Sequence, residues 1–151
     1  MNVSENKELF ELALKARNNA YAPYSNFKVG AALLTKSGKI YVGCNMENSS
    51  YGLTICAERN AVTSAIAAGE KEWSKIVIVA DGEKICTPCG ACRQVLYEHG
   101  SDMEVVCANL QGDTKTYTLK ELLPDAFDKD YLKQTGIHPL FDLYDESDKE
   151  L

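Results

Sequence analysis

Hydrophobic positions fall in a helical rhythm at the start of the chain. Leu9, Leu12, Ala13, Ala16 and Ala20 recur at helical spacing with Glu and Lys between them, which predicts an amphipathic helix over residues 5–19. Its apolar stripe should cover one face of a sheet. Residues 21–26 read as a loop, because Pro23 disfavours helix at and before itself. Residues 28–35 and 39–45 are strand-like runs separated by Lys36-Ser37-Gly38, a hairpin signal that makes them antiparallel. A polar loop over 46–55 then leads into a helix that runs to Ala68 and is stopped by Gly69. The apolar, mostly β-branched run from Ile76 to Ala80 ends at Asp81-Gly82 and suits a central strand buried on both faces. A second helix over 89–98 ends at His99-Gly100. Residues 104–109 and 115–117 are strands joined by the Gln111-Gly112-Asp113 turn, hence antiparallel. Thr118 with Glu121 is a capping box for a short helix, with Pro124 soon after.

Helices alternating with strands around one hairpin imply an α/β fold, a three-layer α/β/α sandwich on a mixed five-stranded sheet. At 151 residues, 45% of them hydrophobic, the chain reads as a single domain over 1–151 that buries a core without disulfides. Past Phe127 it turns acidic, with Asp142, Asp145, Glu146, Asp148 and Glu150, and a frayed tail is expected after about residue 128. No window approaches the roughly 20 apolar residues of a membrane span. The first residues, Met1 to Lys7, are polar and carry no apolar signal region, so a cytoplasmic setting without membrane contact is expected. Thiols stay reduced there, and the six cysteines read as ligands and buried thiols. A net charge of -6 argues against a nucleic-acid polymer as partner and leaves a small neutral molecule open.

The candidate chemistry lies in Thr54-Ile55-Cys56-Ala57-Glu58-Arg59 and Thr87-Pro88-Cys89-Gly90-Ala91-Cys92-Arg93-Gln94. A catalytic zinc takes three protein ligands and leaves its fourth position to water, whereas a structural zinc takes four. Cys56, Cys89 and Cys92 supply three. If Pro88 opens a helix, Cys89 and Cys92 share one face of its first turn. Cys56 and Glu58, two apart, can both face a metal only if Cys56 sits at a helix start. Glu58 beside the open position, not ligating, can carry a proton from water to a leaving group. This is the pattern of zinc deaminases, with Cys in place of His. Three thiolates leave one Zn²⁺ with excess negative charge. Helix N-termini and Arg59 are placed to offset it.

At these residues the chain resembles the cytidine deaminase family, in its small all-cysteine form. Three further blocks agree in order and spacing: Tyr21-Ala22-Pro23-Tyr24-Ser25-Asn26-Phe27-Lys28-Val29-Gly30-Ala31-Ala32-Leu33, Gly43-Cys44-Asn45-Met46-Glu47-Asn48 and Leu122-Leu123-Pro124-Asp125-Ala126-Phe127. The likeness spans Leu9 to Phe127. It implies zinc-dependent hydrolytic deamination of cytidine and deoxycytidine, with Glu58 protonating N3 and then the departing amine. It also implies one zinc per subunit and a homotetramer with shared active sites. Asn45 and Glu47 would hold the ribose hydroxyls, Phe27 would pack on the base, and the backbone near Ala57 and Thr87 would read its polar edge. Tyr51 and Phe127 would reach a neighbour's pocket. Arg59 would donate to the thiolates, with Gln94 as a further supporting residue. Gly52 and the acidic tail depart from the family pattern.

Plainer readings stand beside these. The cysteines could be buried thiols, or Cys89 and Cys92 a redox pair. Glu58 could be a solvated carboxylate at a helix start, Arg59 a surface arginine, Asn45 a turn residue, Glu47 solvated, and Tyr51 and Phe127 core. Cys44 and Cys107 lie in apolar strands as buried thiols, Cys86 reads as a loop thiol, and His99 and His138 as non-ligands. Rival functions are a deaminase of a cytosine-bearing antibiotic such as blasticidin S and a non-catalytic zinc scaffold. The Asn45-Glu47 pair favours ribose, and a scaffold has no need of Glu58.

Overall fold

After an N-terminal helix, α1 (Val3–Asn18), the described residues form five strands: β1 (Val29–Thr35), β2 (Ile40–Cys44), β3 (Trp73–Ala80), β4 (Glu104–Ala108) and β5 (Thr114–Thr118). They form one sheet in the order β2-β1-β3-β4-β5. The computed structural model describes residues 3–134. Helix α2 (Ala57–Ala67) joins β2 to β3, α3 (Gly90–Gly100) joins β3 to β4, and α4 (Leu119–Leu122) and α5 (Lys129–Gln134) follow β5. Only β3 and β4 run parallel; the other three pairings are antiparallel, so the sheet is mixed as its spacing predicts.

Alternation along each strand divides the core in two. Ala32, Val77, Val79, Val106 and Ala108 face Leu9 and Ala13 of α1. Ala31, Leu33, Ile76, Ile78, Val105 and Cys107 face Ala57, Ala61, Val62 and Ala65 of α2 and Leu96 of α3. The result is the expected α/β/α sandwich. Burying a leucine such as Leu9 or Leu96 completely contributes about 1.5–3 kcal/mol.

Two glycines set how closely the helices approach. A Cβ on Gly30 would lie 2.0 Å from the Ala13 carbonyl oxygen, so α1 rests on bare backbone of β1. One on Gly43 would lie 2.3 Å from the Ala57 oxygen and 2.4 Å from the Ala61 nitrogen. Asn60 fixes the second approach by donating from Nδ2 to the Cys44 carbonyl at 2.8 Å. The first turn of α2 is thereby held flat on the sheet.

Several expectations need correction. Pro88 does not open α3: Cys89 is its N-cap and Gly90 its first residue, because Cys89 keeps an extended ψ of 166°. Strand β3 starts at Trp73, with a register shift between Leu34 and Thr35 absorbing the extra residues. The exposed Ser74 had broken the apolar run there. Residues 129–134, expected to be frayed, form α5; the Asp128 carboxylate accepts the Asp130 and Tyr131 amides at 3.0 and 3.1 Å. The rest of the acidic tail, with His138, lies outside the described residues. Cys107 is buried as expected, while Cys44 is only half-buried on the sheet-edge strand β2.

Replacing Gly43 by Ala should lower stability by at least about 2 kcal/mol, in the range of core overpacking. Gly52→Ala, with nothing within 4 Å of the added carbon, should leave the urea midpoint unchanged. Equal midpoints for the two variants would mean that α2 does not rest on Gly43.

Candidate active site

Two helix starts and the exit of β3 meet at one end of the sheet, because α2 runs away from that end, β3 returns to it and α3 leaves it again. Cys56 is the N-cap of α2 and Cys89 the N-cap of α3. Each accepts the first intrahelical bond through its carbonyl, from Asn60 N at 3.1 Å and Arg93 N at 3.0 Å. Neither sulfur caps its own helix, so both remain free for other use. Cys92 completes the group from the first turn of α3, fully buried, while Cys56 is half-buried and Cys89 exposed.

The three sulfurs lie within 4.8 Å of one another. The Cys56 and Cys89 sulfurs are 3.9 Å apart. With zinc–sulfur bonds of about 2.3 Å a tetrahedral site has sulfur–sulfur edges of about 3.8 Å, so the donor set fits zinc. Cys86 is a half-buried thiol directed at the Thr87 carbonyl at 3.6 Å and is no member of the cluster, which leaves three ligands rather than four. His99 packs at a tilt of 54° against Trp73 at the far end of α3, with ring centroids 5.0 Å apart.

Electrostatics within the cluster are strongly coupled. A hydrogen bond from the Cys92 thiol holds Cys56 down to about 5, with Arg59 and Cys89 adding to the effect. The same contact, with burial, pushes Cys92 far up. The Arg59 guanidinium reaches the Cys56 sulfur at 3.4 Å, so it is a sulfur partner and not a surface arginine. Its buried Nε has no partner among the described residues. Glu58, the second residue of α2, is 5% exposed, and burial raises its pKa, with the Cys56 charge adding. It is not the solvated first-turn carboxylate of the plainer reading.

On the open side the loops are stitched together. Tyr21 bridges to Met46, and Met46 to Ile55, which brings residues 46–55 alongside Cys56. A single 3-10 turn at Tyr51–Leu53 interrupts the expected loop. A cleft of about 250 Å³ is lined by Tyr24, Ser25, Glu47, Tyr51 and Thr54. Asn45 and Glu47 are buried, but their side chains hold the 21–29 segment. Asn45 accepts from Val29 N and donates to the Phe27 carbonyl, both at 2.8 Å. Glu47 accepts from Tyr24 N at 2.8 Å, Ser25 N at 3.2 Å and the Ser25 hydroxyl, which keeps its carboxyl below the usual range. Phe27, Tyr51 and Phe127 are exposed, so none of them is core. Ala57 is fully buried at the first position of α2, and the Thr87 hydroxyl accepts from Arg93 at 3.0 Å. The Gln94 Nε2 donates to the Phe127 carbonyl at 2.8 Å, which ties the first turns of α3 to the 122–127 segment.

Sequence reasoning missed Ser25 and Arg93 as individual residues. Ser25 stands 22 positions from Glu47, and no local spacing connects them. A larger cleft of about 410 Å³, lined by Trp73, His99 and Asp102 among others, lies at the other end of α3 and contains no residue of this site.

Comparison with known proteins agrees with this geometry. Residues 3–109 match the family model described as the cytidine and deoxycytidylate deaminase zinc-binding region. The chain is 48% identical over 127 residues to the cytidine deaminase of Sporosarcina psychrophila, covering 83% of this chain and 93% of that protein. It is 51% identical over 120 residues to the cytidine deaminase of Halalkalibacterium halodurans, covering 79% and 91%. The crystal structure of cytidine deaminase from Burkholderia pseudomallei superposes with a TM-score of 0.78 at 53% identity, over 80% of this chain and 98% of that one. With a sulfur cluster of zinc dimensions, a buried glutamate beside it and these matches across most of its length, the chain belongs to the cytidine and deoxycytidylate deaminase family.

Proposed function

We propose that the protein hydrolyses the 4-amino group of cytidine and deoxycytidine, giving uridine and deoxyuridine plus ammonia. The observation that carries this reading is a buried carboxylate, Glu58, set two residues after one member of a three-cysteine cluster. Cys56, Cys89 and Cys92 would hold one zinc ion per chain. When bound, the ion supplies Lewis acidity that makes water nucleophilic near neutral pH.

The chain's own residues then handle protons and orientation. Glu58 takes a proton from the attacking water and gives it to ring N3 as the bond from oxygen to C4 forms. It carries the second proton to the exocyclic amine as the C4–N bond breaks, and ammonia leaves. Burial brings its pKa up toward the operating range, where a carboxylate both accepts and returns protons effectively. Arg59 and the two helix N-termini offset the charge of three thiolates. The Ala57 amide lies in the first turn of α2, where backbone donors lack intrahelical acceptors, and it can meet the polar edge of the base together with the backbone at Thr87. Asn45 retains one amide hydrogen, and ionised Glu47 retains acceptor capacity, for the ribose hydroxyls. Phe27 would pack on the base.

A homotetramer with shared sites is part of the reading. Tyr51 is 73% exposed and Phe127 54%, so both rings are available to a neighbouring chain. Each would close a neighbour's pocket. A cytoplasmic setting, where thiols stay reduced, suits the cluster. Among the described residues no helix is long and apolar enough to cross a membrane.

Zinc-loaded protein should bleach the ultraviolet band of cytidine and deoxycytidine and leave blasticidin S unchanged. Glu58→Gln should retain zinc while losing about 10²–10⁴-fold in kcat. Turnover of the antibiotic alone would transfer the reading to that substrate, and stoichiometric zinc without any turnover would favour a scaffold. Arg59→Ala should fold normally but lose about tenfold or more in zinc affinity or rate, as for a charged hydrogen bond worth about 1.5–3 kcal/mol. Unchanged values would remove its role. Sedimentation velocity should give a four-chain species; a fully active monomer would rule out shared sites.

A further inference from the structure

Arg93 follows the buried Cys92 on α3, and its guanidinium turns back to three separate acceptors. Nε donates to the Pro88 carbonyl at 2.7 Å, Nη2 to the Thr87 hydroxyl at 3.0 Å and Nη1 to the Leu122 carbonyl at 2.7 Å. The first two acceptors immediately precede Cys89. The third is a C-terminal carbonyl of α4, which has no intrahelical partner of its own. The next residue, Gln94, holds the Phe127 carbonyl at 2.8 Å. Neighbouring side chains of one helix turn therefore fix both ends of the 122–127 segment, while Asp125 within it keeps a positive φ of 52°.

No carboxylate pairs with Arg93 among the described residues; its acceptors are two carbonyls and a hydroxyl. A rigid fork suits this arrangement, because one planar group sets the relative position of three points. Lysine offers a single point charge on a flexible stem and cannot replace it.

We infer that Arg93 is a positioning residue for the reaction: its guanidinium fixes the Thr87–Pro88 backbone, and so Cys89 and the edge offered to the pyrimidine, against the 122–127 segment. The inference rests on the deaminase reading above. A displacement of about 1 Å at such an edge can cost about 10²-fold in rate while the fold stays intact.

The test compares wild type, Arg93→Lys, Arg93→Ala and Thr87→Val, each loaded with zinc, by zinc content, thermal melting, and kcat and KM for cytidine. Arg93→Lys should keep one zinc per chain and a near wild-type melting temperature while kcat falls about 10–100-fold and KM changes less than about threefold, the signature of an interaction needed in the transition state. Thr87→Val, which removes one of the three acceptors, should lose less. Added guanidinium at millimolar level should restore part of the rate of Arg93→Ala and none to Arg93→Lys, whose side chain fills the site. Wild-type kcat in zinc-loaded Arg93→Lys would overturn the inference, as would a loss that tracks zinc content alone. If Arg93→Ala does not fold, Arg93→Lys and Thr87→Val decide by the same criteria. A zinc-loaded wild type that leaves cytidine untouched would instead sink the deaminase reading and this inference with it.

Discussion

Three sulfur atoms held within 4.8 Å of one another set the terms for the rest of the molecule. Two unit charges about 4 Å apart repel by about 1 kcal/mol in water and by about 4 kcal/mol at an effective dielectric of 20. Three thiolates at that separation are costly to hold charged together without positive charge nearby. Arg59 on the Cys56 sulfur supplies part of that positive charge, and the contact with Cys56, together with burial, pushes the Cys92 thiol up. A divalent ion answers the same need more fully, yet leaves one excess negative charge. The convergence of two helix N-termini supplies a fixed positive field that no side chain has to reorganise to provide.

That convergence depends on backbone contacts far from any titratable group. Helix α2 reaches the cluster at the right height because Gly43 lets its first turn lie on β2, with Asn60 bonded to the Cys44 carbonyl. On the opposite face Gly30 lets α1 settle on β1. From there Arg17 pairs with Asp81, whose carboxylate also accepts the Lys28 amide at 3.1 Å. Lys28 adjoins Phe27, so one ion pair ties α1 to the segment that carries Phe27.

The chemical half of the site was legible in the sequence because its geometry is local. Cys89 and Cys92 are three apart across the first turn of α3, and Cys56 and Glu58 are two apart across the start of α2, so short stretches of chain place both pairs. The same holds for the strands, whose apolar runs and turns are contiguous. Contacts between distant segments were not legible: Ser25 on Glu47 and Arg93 on Leu122 span 22 and 29 positions and follow no spacing rule. Gln94 illustrates the limit. Adjacency to the motif suggested support for the sulfurs, but successive helix positions diverge by about 100°, and its amide meets Phe127 instead. The N-cap role of Cys89 was missed for a related reason, since proline permits a helix start without requiring one.

Glu58 is where local rule and tertiary context oppose each other. At the second position of a helix a carboxylate is favoured ionised, because the dipole and free backbone amides attract negative charge. Burial to 5% exposure acts the other way and prevails, with the Cys56 charge alongside. Holding an ionised carboxylate largely out of water is costly for a small domain. A site that only had to hold a metal would be more stable with an apolar residue there. The carboxylate makes sense where its proton is in use: close enough to water to collect one, dry enough to give it up to a weakly basic nitrogen. Cys89 is exposed and Glu58 buried, so the cluster has one face toward solvent and the carboxylate lies on the drier side of α2.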